Sequence, residues 1–248
     1  MRTAPSLQSS DAPSSGAAAL PATVVWTDVD GVEHQCAANH ALPNAALLAA
    51  VVRASVSQGR SATSDSEDGL VSALGGDSRL ADAVLVADRD PEVTDFAVRP
   101  AEVRWHLLPS APTFVVPMLQ RTRGRRFRVL DTETRSSSRT ALISTICHEI
   151  GWEYVTFDEP SKAIMDNLRH LSVDRHWWVA AGYDVQLDRV IQLCRHGRSI
   201  QSLCSALCPE DPDRPRALVN YALWHEFIIA DLTQPLNQFT TVIARSAR

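Results

Sequence analysis

Hydrophobic positions in this chain recur at a spacing of two in some stretches and three to four in others, and the changes of period mark its elements. The runs "TVVWT" (23–27) and "VEHQC" (32–36) alternate on either side of Asp30-Gly31, a pair that accepts positive φ. A hairpin is predicted there, with order beginning near Thr23. Pro43 opens a helix running to about Ser57, and polar residues 58–68 follow as a loop. Asp77 is placed to cap a short helix, Ser78–Ala87, whose Leu80, Val84 and Ala87 share a face. Val103, Trp105 and Leu107 alternate with Arg104 and His106 as a half-buried strand, and Thr113–Leu119 and Phe127–Thr134 read as two more. Ser136 to Ser138 cap a helix that buries Leu142, Ile143, Ile146, Cys147 and Ile150 and stops at Gly151, before the strand "WEYVTF". Helix, three strands, helix, strand predicts an α/β core with a mixed sheet, because the crossover helix allows a parallel final strand.

The last third is helical. Val185–Cys194, Ile200–Leu207 and Arg216–Glu226 carry helical spacing, and the apolar runs "FIIADL" and "FTTVI" flank "TQPLNQ" near the end. Three helices and a hairpin in that order fit a winged helix, and equally a plain helical cap.

Composition narrows the classes. An apolar fraction of 45% and a charged fraction of 21% are those of a globular protein, and no apolar run reaches the roughly 18 residues of a membrane span. Residues 1–22 are small and polar without the pattern of a signal peptide, so a disordered tail and a cytoplasmic address are expected. The divisions expected are the tail 1–22, an N-terminal hairpin, helix and loop over 23–75, a core over 76–170 and a C-terminal domain over 171–248. Five scattered cysteines point to reduced thiols, and Cys194, His196, Cys204 and Cys208 match no familiar zinc spacing.

A net charge of −5 argues against bulk attraction to nucleic acid, but seven arginines lie between Arg121 and Arg139. Arg121, Arg123, Arg125, Arg126 and Arg128 surround a predicted strand turn and are candidate phosphate contacts, with a solvated turn as the plainer reading. In the strand that follows, period two puts Asp131, Glu133 and Arg135 on one face. Two carboxylates on a strand can hold a hard divalent cation beside a phosphate, so Asp131 and Glu133 are the candidate metal ligands. Salt-linked charges at a solvated sheet end are the alternative.

From about Asp77 to Val242 the chain resembles the TnsA-type endonuclease subunit of heteromeric transposases. The resemblance rests on "DSRLADAVLVADRDPEV", "FAVRP", "GWEYVTFDEP", "NLRHL" and "RPRALVNYALWHEFIIADLTQPL" in that order and spacing. It implies a restriction-endonuclease-like core, a winged-helix-like C-terminal domain, transposon-end DNA as substrate, and a TnsB-like transposase and a TnsC-like ATPase as partners. Nucleases of this kind use a helix Glu, an Asp at the start of a strand, and an acid or Gln followed two residues later by Lys on the next strand, with Mg²⁺ as cofactor. Carried onto this sequence, those positions fall on Asp77 or Ala81, on Thr113, on Asp131 and on Glu133. One acid is lost and the lysine has become an acid; Lys162, the only lysine, lies beyond the following strand. The expected function is therefore a TnsA-like subunit with a decayed nuclease site that keeps DNA and partner binding. An active nuclease in which Arg135 supplies the missing cation and a protein-interaction adaptor without nucleic acid are the alternatives.

Overall fold

The computed structural model describes residues 22–27, 32–37, 74–105, 113–124, 126–180 and 184–245. The Asp30-Gly31 turn, the helix predicted from Pro43, the loop 58–68, Arg125 and all but the last residue of the predicted tail lie outside the described residues. β1 (Ala22–Thr27) pairs antiparallel with β2 (Glu33–Ala37), and α1 (Ser78–Arg89) follows. Then come β3 (Val93–Val98), β4 (Glu102–Trp105), β5 (Phe114–Val115), β6 (Met118–Thr122) and β7 (Phe127–Asp131). α2 (Ser137–Ile150) and β8 (Trp152–Thr156) complete this part. The protein is a mixed α/β chain.

Two four-stranded sheets divide these strands. One has the order β3-β6-β7-β8, antiparallel except for the parallel pair β7/β8, and the other β2-β1-β4-β5. Helix, strand, strand, strand, helix, strand does describe the mixed sheet, but its first strand is β3, a stretch with no predicted strand. The strand expected around Val103 exists as β4 and joins β1 in the other sheet. Thr113–Leu119 is likewise not one strand. Pro117 has no N–H to give a ladder, and around it the chain leaves one sheet at Val115 and enters the other at Met118.

Asp77 caps α1 by accepting the Leu80 N–H at 3.0 Å, and Gly151 ends α2 in the left-handed region at φ 84°. Each helix covers one face of the mixed sheet. Leu80, Ala83 and Ala87 of α1 pack with Met118, Leu130 and Phe157, whereas Ile143, Ile146, Cys147 and Ile150 of α2 pack with Ala97, Leu119, Phe127, Val129 and Trp152. Along β7, Val129 therefore faces α2 and Leu130 faces α1, as period two requires.

The remaining chain forms α3 (Lys162–Ser172), α4 (Trp177–Ala180), α5 (Asp184–Leu193), β9 (Arg198–Ser199), α6 (Ile200–Leu207), α7 (Arg216–Trp224), β10 (Ile228–Ile229) and β11 (Thr241–Ala244). Both hairpin strands pair, and β9 joins them to give the order β10-β11-β9. Met165, Leu168 and Leu171 of α3 share one core cluster with Leu203, Val219 and Leu223, and Leu85 of α1 joins it. The division expected at residue 171 falls inside α3. No helix among the described residues is long and apolar enough to cross a membrane.

Candidate functional site

Asp131 is the last residue of β7, on the side covered by α2, and is 1% exposed. The strand stops here because the Asp131 carboxylate accepts the N–H of Glu133 at 3.1 Å, a local turn that competes with further pairing. That turn, rather than an extended strand, brings Arg135 back. Arg135 Nε donates to Asp131 Oδ2 at 2.7 Å, its Nη2 lies 2.8 Å from Glu133 Oε2, and its guanidinium carbon sits 5.2 Å from the centre of the Phe114 ring. Tyr154 Oη donates to the same Asp131 oxygen at 2.6 Å. Asp131, Glu133 and Arg135 do come together, with a guanidinium where a bridging cation would stand.

The surroundings shift the ionisation of Arg135, Tyr154 and Cys147 upward. Burial works against the charge on Arg135, but the bond to Asp131 and the charges of Asp131 and Glu133 outweigh it and raise its pKa. Tyr154 is pushed up first by burial and then by its bond to Asp131 and that carboxylate's charge. Cys147, on α2, is pushed up to about 12 by burial, with the Asp131 charge adding to it. Neither is poised to lose a proton near neutral pH.

Thr113 lies outside this cluster. It precedes β5 in the other sheet, and its hydroxyl bonds the Glu102 carboxylate, whose pKa is lowered first by its bond to Arg104 and then by this one. Its neighbour Phe114 is the residue that reaches Arg135. Asp77 is engaged by the Leu80 N–H and by Arg99 at 3.4 Å. Ala81 is buried in α1, and Lys162 is exposed at the start of α3, paired with Asp166 at 2.5 Å.

A site that joins an acid from α1 to acids on the strands must lie on the sheet face that α1 covers. Asp131 is on the other face. The positions that meet α1 at this end are Met118 and Leu130, packed against Leu80 and Ala83, with Gln120 and Thr132 as the buried polar neighbours. The buried acid of α1, Asp82, turns instead to α3, where Arg169 holds both its oxygens at 2.9 and 2.8 Å. The residues do not fit Mg²⁺. The ion needs several well-placed oxygens, whereas Asp131 is filled by Arg135 and Tyr154, and no cluster of three metal-binding side chains occurs among the described residues.

Of the arginines predicted at the β6–β7 turn, Arg121 pairs with Asp95 at 3.9 Å and Arg128 with Glu153 at 3.0 Å, while Arg123 and Arg126 are exposed. Phe114, Cys147 and Tyr154 were not anticipated as members of the Asp131 cluster. The alternation in "WEYVTF" sets Tyr154 on the Trp152 face, but only the parallel register that pairs Asp131 with Thr156 brings its hydroxyl to Asp131. The chain matches no family model, no curated protein and no solved structure.

Proposed function

We propose that the protein is a TnsA-like subunit of a heteromeric transposase whose nuclease site has closed, and that it contributes DNA and partner binding rather than cleavage. The order of helices and strands around the mixed sheet supports a restriction-endonuclease-like core, and helix, helix, helix, hairpin with β9 completing a small sheet supports a winged-helix-like unit. The observation that carries the reading is Arg135. Its guanidinium occupies both Asp131 and Glu133, and the opposite face, where acids from α1 and the strands would converge, is filled by Leu80, Met118 and Leu130. Metal-assisted hydrolysis needs carboxylates free to hold the ion that activates water. Incubation of supercoiled plasmid and transposon-end DNA with Mg²⁺ or Mn²⁺ tests this: no cleavage is expected, whereas TnsB-like and TnsC-like partners should be retained on the immobilised chain.

One observation favours the adaptor reading as a second. α7, the third helix of the winged-helix order, is packed against α3, α4, α5 and α6, and Leu218, Val219, Asn220, Ala222, Leu223 and Trp224 are all buried. A helix so enclosed does not offer a face to a major groove. Retention on heparin at two salt concentrations separates the readings, since phosphate contacts make binding fall steeply with salt.

A further inference from the structure

A groove of about 400 Å³ runs between the α/β core and the C-terminal unit, walled by the end of α1, the start of β3, the β6–β7 turn and the segment after α7. Three guanidinium groups line it: Arg89, Arg123 and Arg245. Three acids line it too, but they differ in what they do. Asp88 pairs with Arg175 at 3.6 Å, and Asp90 accepts the Glu92 N–H at 2.9 Å. Glu226 serves two arginines of the groove, with Oε1 3.8 Å from Arg89 and Oε2 bonded to Arg245. Its backbone is held at φ 56°, in the left-handed region where a glycine ends a helix without strain, so the chain keeps a carboxylate at a position that disfavours one. Arg89 also has a buried Nε with no hydrogen-bond partner, and Arg123 stands exposed on the rim.

Arg89 also reaches the Leu223 carbonyl at 3.5 Å, but its unpartnered Nε and the exposed Arg123 guanidinium leave donors beside the shared carboxylate for an anion to take. Resting on the reading of the chain as a DNA-binding subunit, we infer that this groove is a phosphate subsite for a nucleic-acid strand. Arg89, Arg123 and Arg245 are its donors, and the Glu226 carboxylate is an internal occupant that a backbone phosphate displaces. Such contacts hold a strand in register without reading its sequence.

The test measures binding of a short labelled duplex over a series of salt concentrations for the full chain, Glu226→Gly and the double variant Arg123→Gln/Arg245→Gln. Glu226→Gly suits the left-handed backbone and removes the competing carboxylate, so it should tighten binding at low salt by about tenfold; the double variant should reduce the slope of log K against log salt by about 2. Steep salt dependence in the wild type that neither variant alters overturns the subsite and leaves the DNA-binding reading standing. Absence of salt-dependent binding in the wild type overturns both. Inorganic phosphate is the second probe. If it raises the thermal midpoint of the wild type but not of the double variant, while neither variant changes duplex binding, the groove takes a free anion and the strand assignment fails.

Discussion

Arg135 Nε and Asp131 Oδ2 lie 2.7 Å apart with 5% and 0% of their side chains exposed, so the acid that a nuclease reading needs most is held inside an ion pair. Such a pair is weak evidence for stability, since packed apolar groups can do as well, but removing one partner strands the other in a poor solvent. Arg135→Met should destabilise the protein by about 3–5 kcal/mol, and Asp131→Leu added to it should recover most of the loss. Urea unfolding of the two variants checks this. A loss below about 1 kcal/mol for Arg135→Met would mean that the pair is solvated, as surface pairs are.

Cys147 gives a pH dependence with a definite sign. Its thiol ionises near 9.0 when unfolded and about 12 when folded, so between those values the unfolded chain has released a proton that the folded chain still holds. The contribution of Cys147 is therefore fully present below pH 9 and declines as pH rises toward 12. Urea midpoints measured from pH 8.5 to 11, on the order of that window, should fall less steeply in Cys147→Ala than in the wild type. Identical slopes would contradict the assignment.

Much of the fold was legible because period and caps act locally. Asp77, Gly151 and the alternation from Phe127 located α1, the end of α2 and β7 without tertiary information. β3 was hidden because "VTDFAV" follows the charged "DRDPE" and carries Asp95 at its centre, and only pairing with β6 reveals it. Period two placed Asp131, Glu133 and Arg135 together for a reason that does not operate: the strand ends at Asp131, and a side-chain turn gathers them instead. The sheet face of Asp131 depended on which helix covers which side. That is set by long-range packing, and no local spacing encodes it.

The second unit should not survive a start at residue 171. α3 supplies Met165 and Leu168 to its core, and Asn167 donates to the carbonyls of Leu232 and Gln234 and accepts the Leu236 N–H, holding the segment between β10 and β11. A fragment of residues 158–248 should unfold cooperatively, and one of residues 171–248 should not; equal cooperativity in chemical denaturation would argue against this role for α3. Asn167→Ala in the full chain should cost about 1–3 kcal/mol, the penalty for leaving buried backbone groups unpaired.

Arg121 and Arg128 are engaged by Asp95 and Glu153, so they should matter less to DNA than the exposed Arg123 and Arg126. Arg121→Gln with Arg128→Gln should leave the salt slope of heparin retention nearly unchanged, and Arg123→Gln with Arg126→Gln should flatten it by about 2. The reverse ranking would relocate the phosphate contacts.

Thr113 lies just before β5, beside the sheet of β4, and bonds Glu102, so an acid installed there is not expected to complete a site around Asp131. The double variant Thr113→Asp/Glu133→Lys should remain inactive on plasmid DNA with Mg²⁺ or Mn²⁺. Gain of nicking would mean that residue 113 reaches the end of β7.

If Arg135 and an apolar sheet face close the nuclease site, as proposed, the nicking of supercoiled plasmid by the wild-type chain with Mg²⁺ or Mn²⁺ decides it. No conversion to open-circular or linear DNA above that seen with Asp131→Ala is expected. Metal-dependent nicking that Asp131→Ala abolishes would contradict it, because the Asp131 carboxylate must then leave Arg135 to hold an ion.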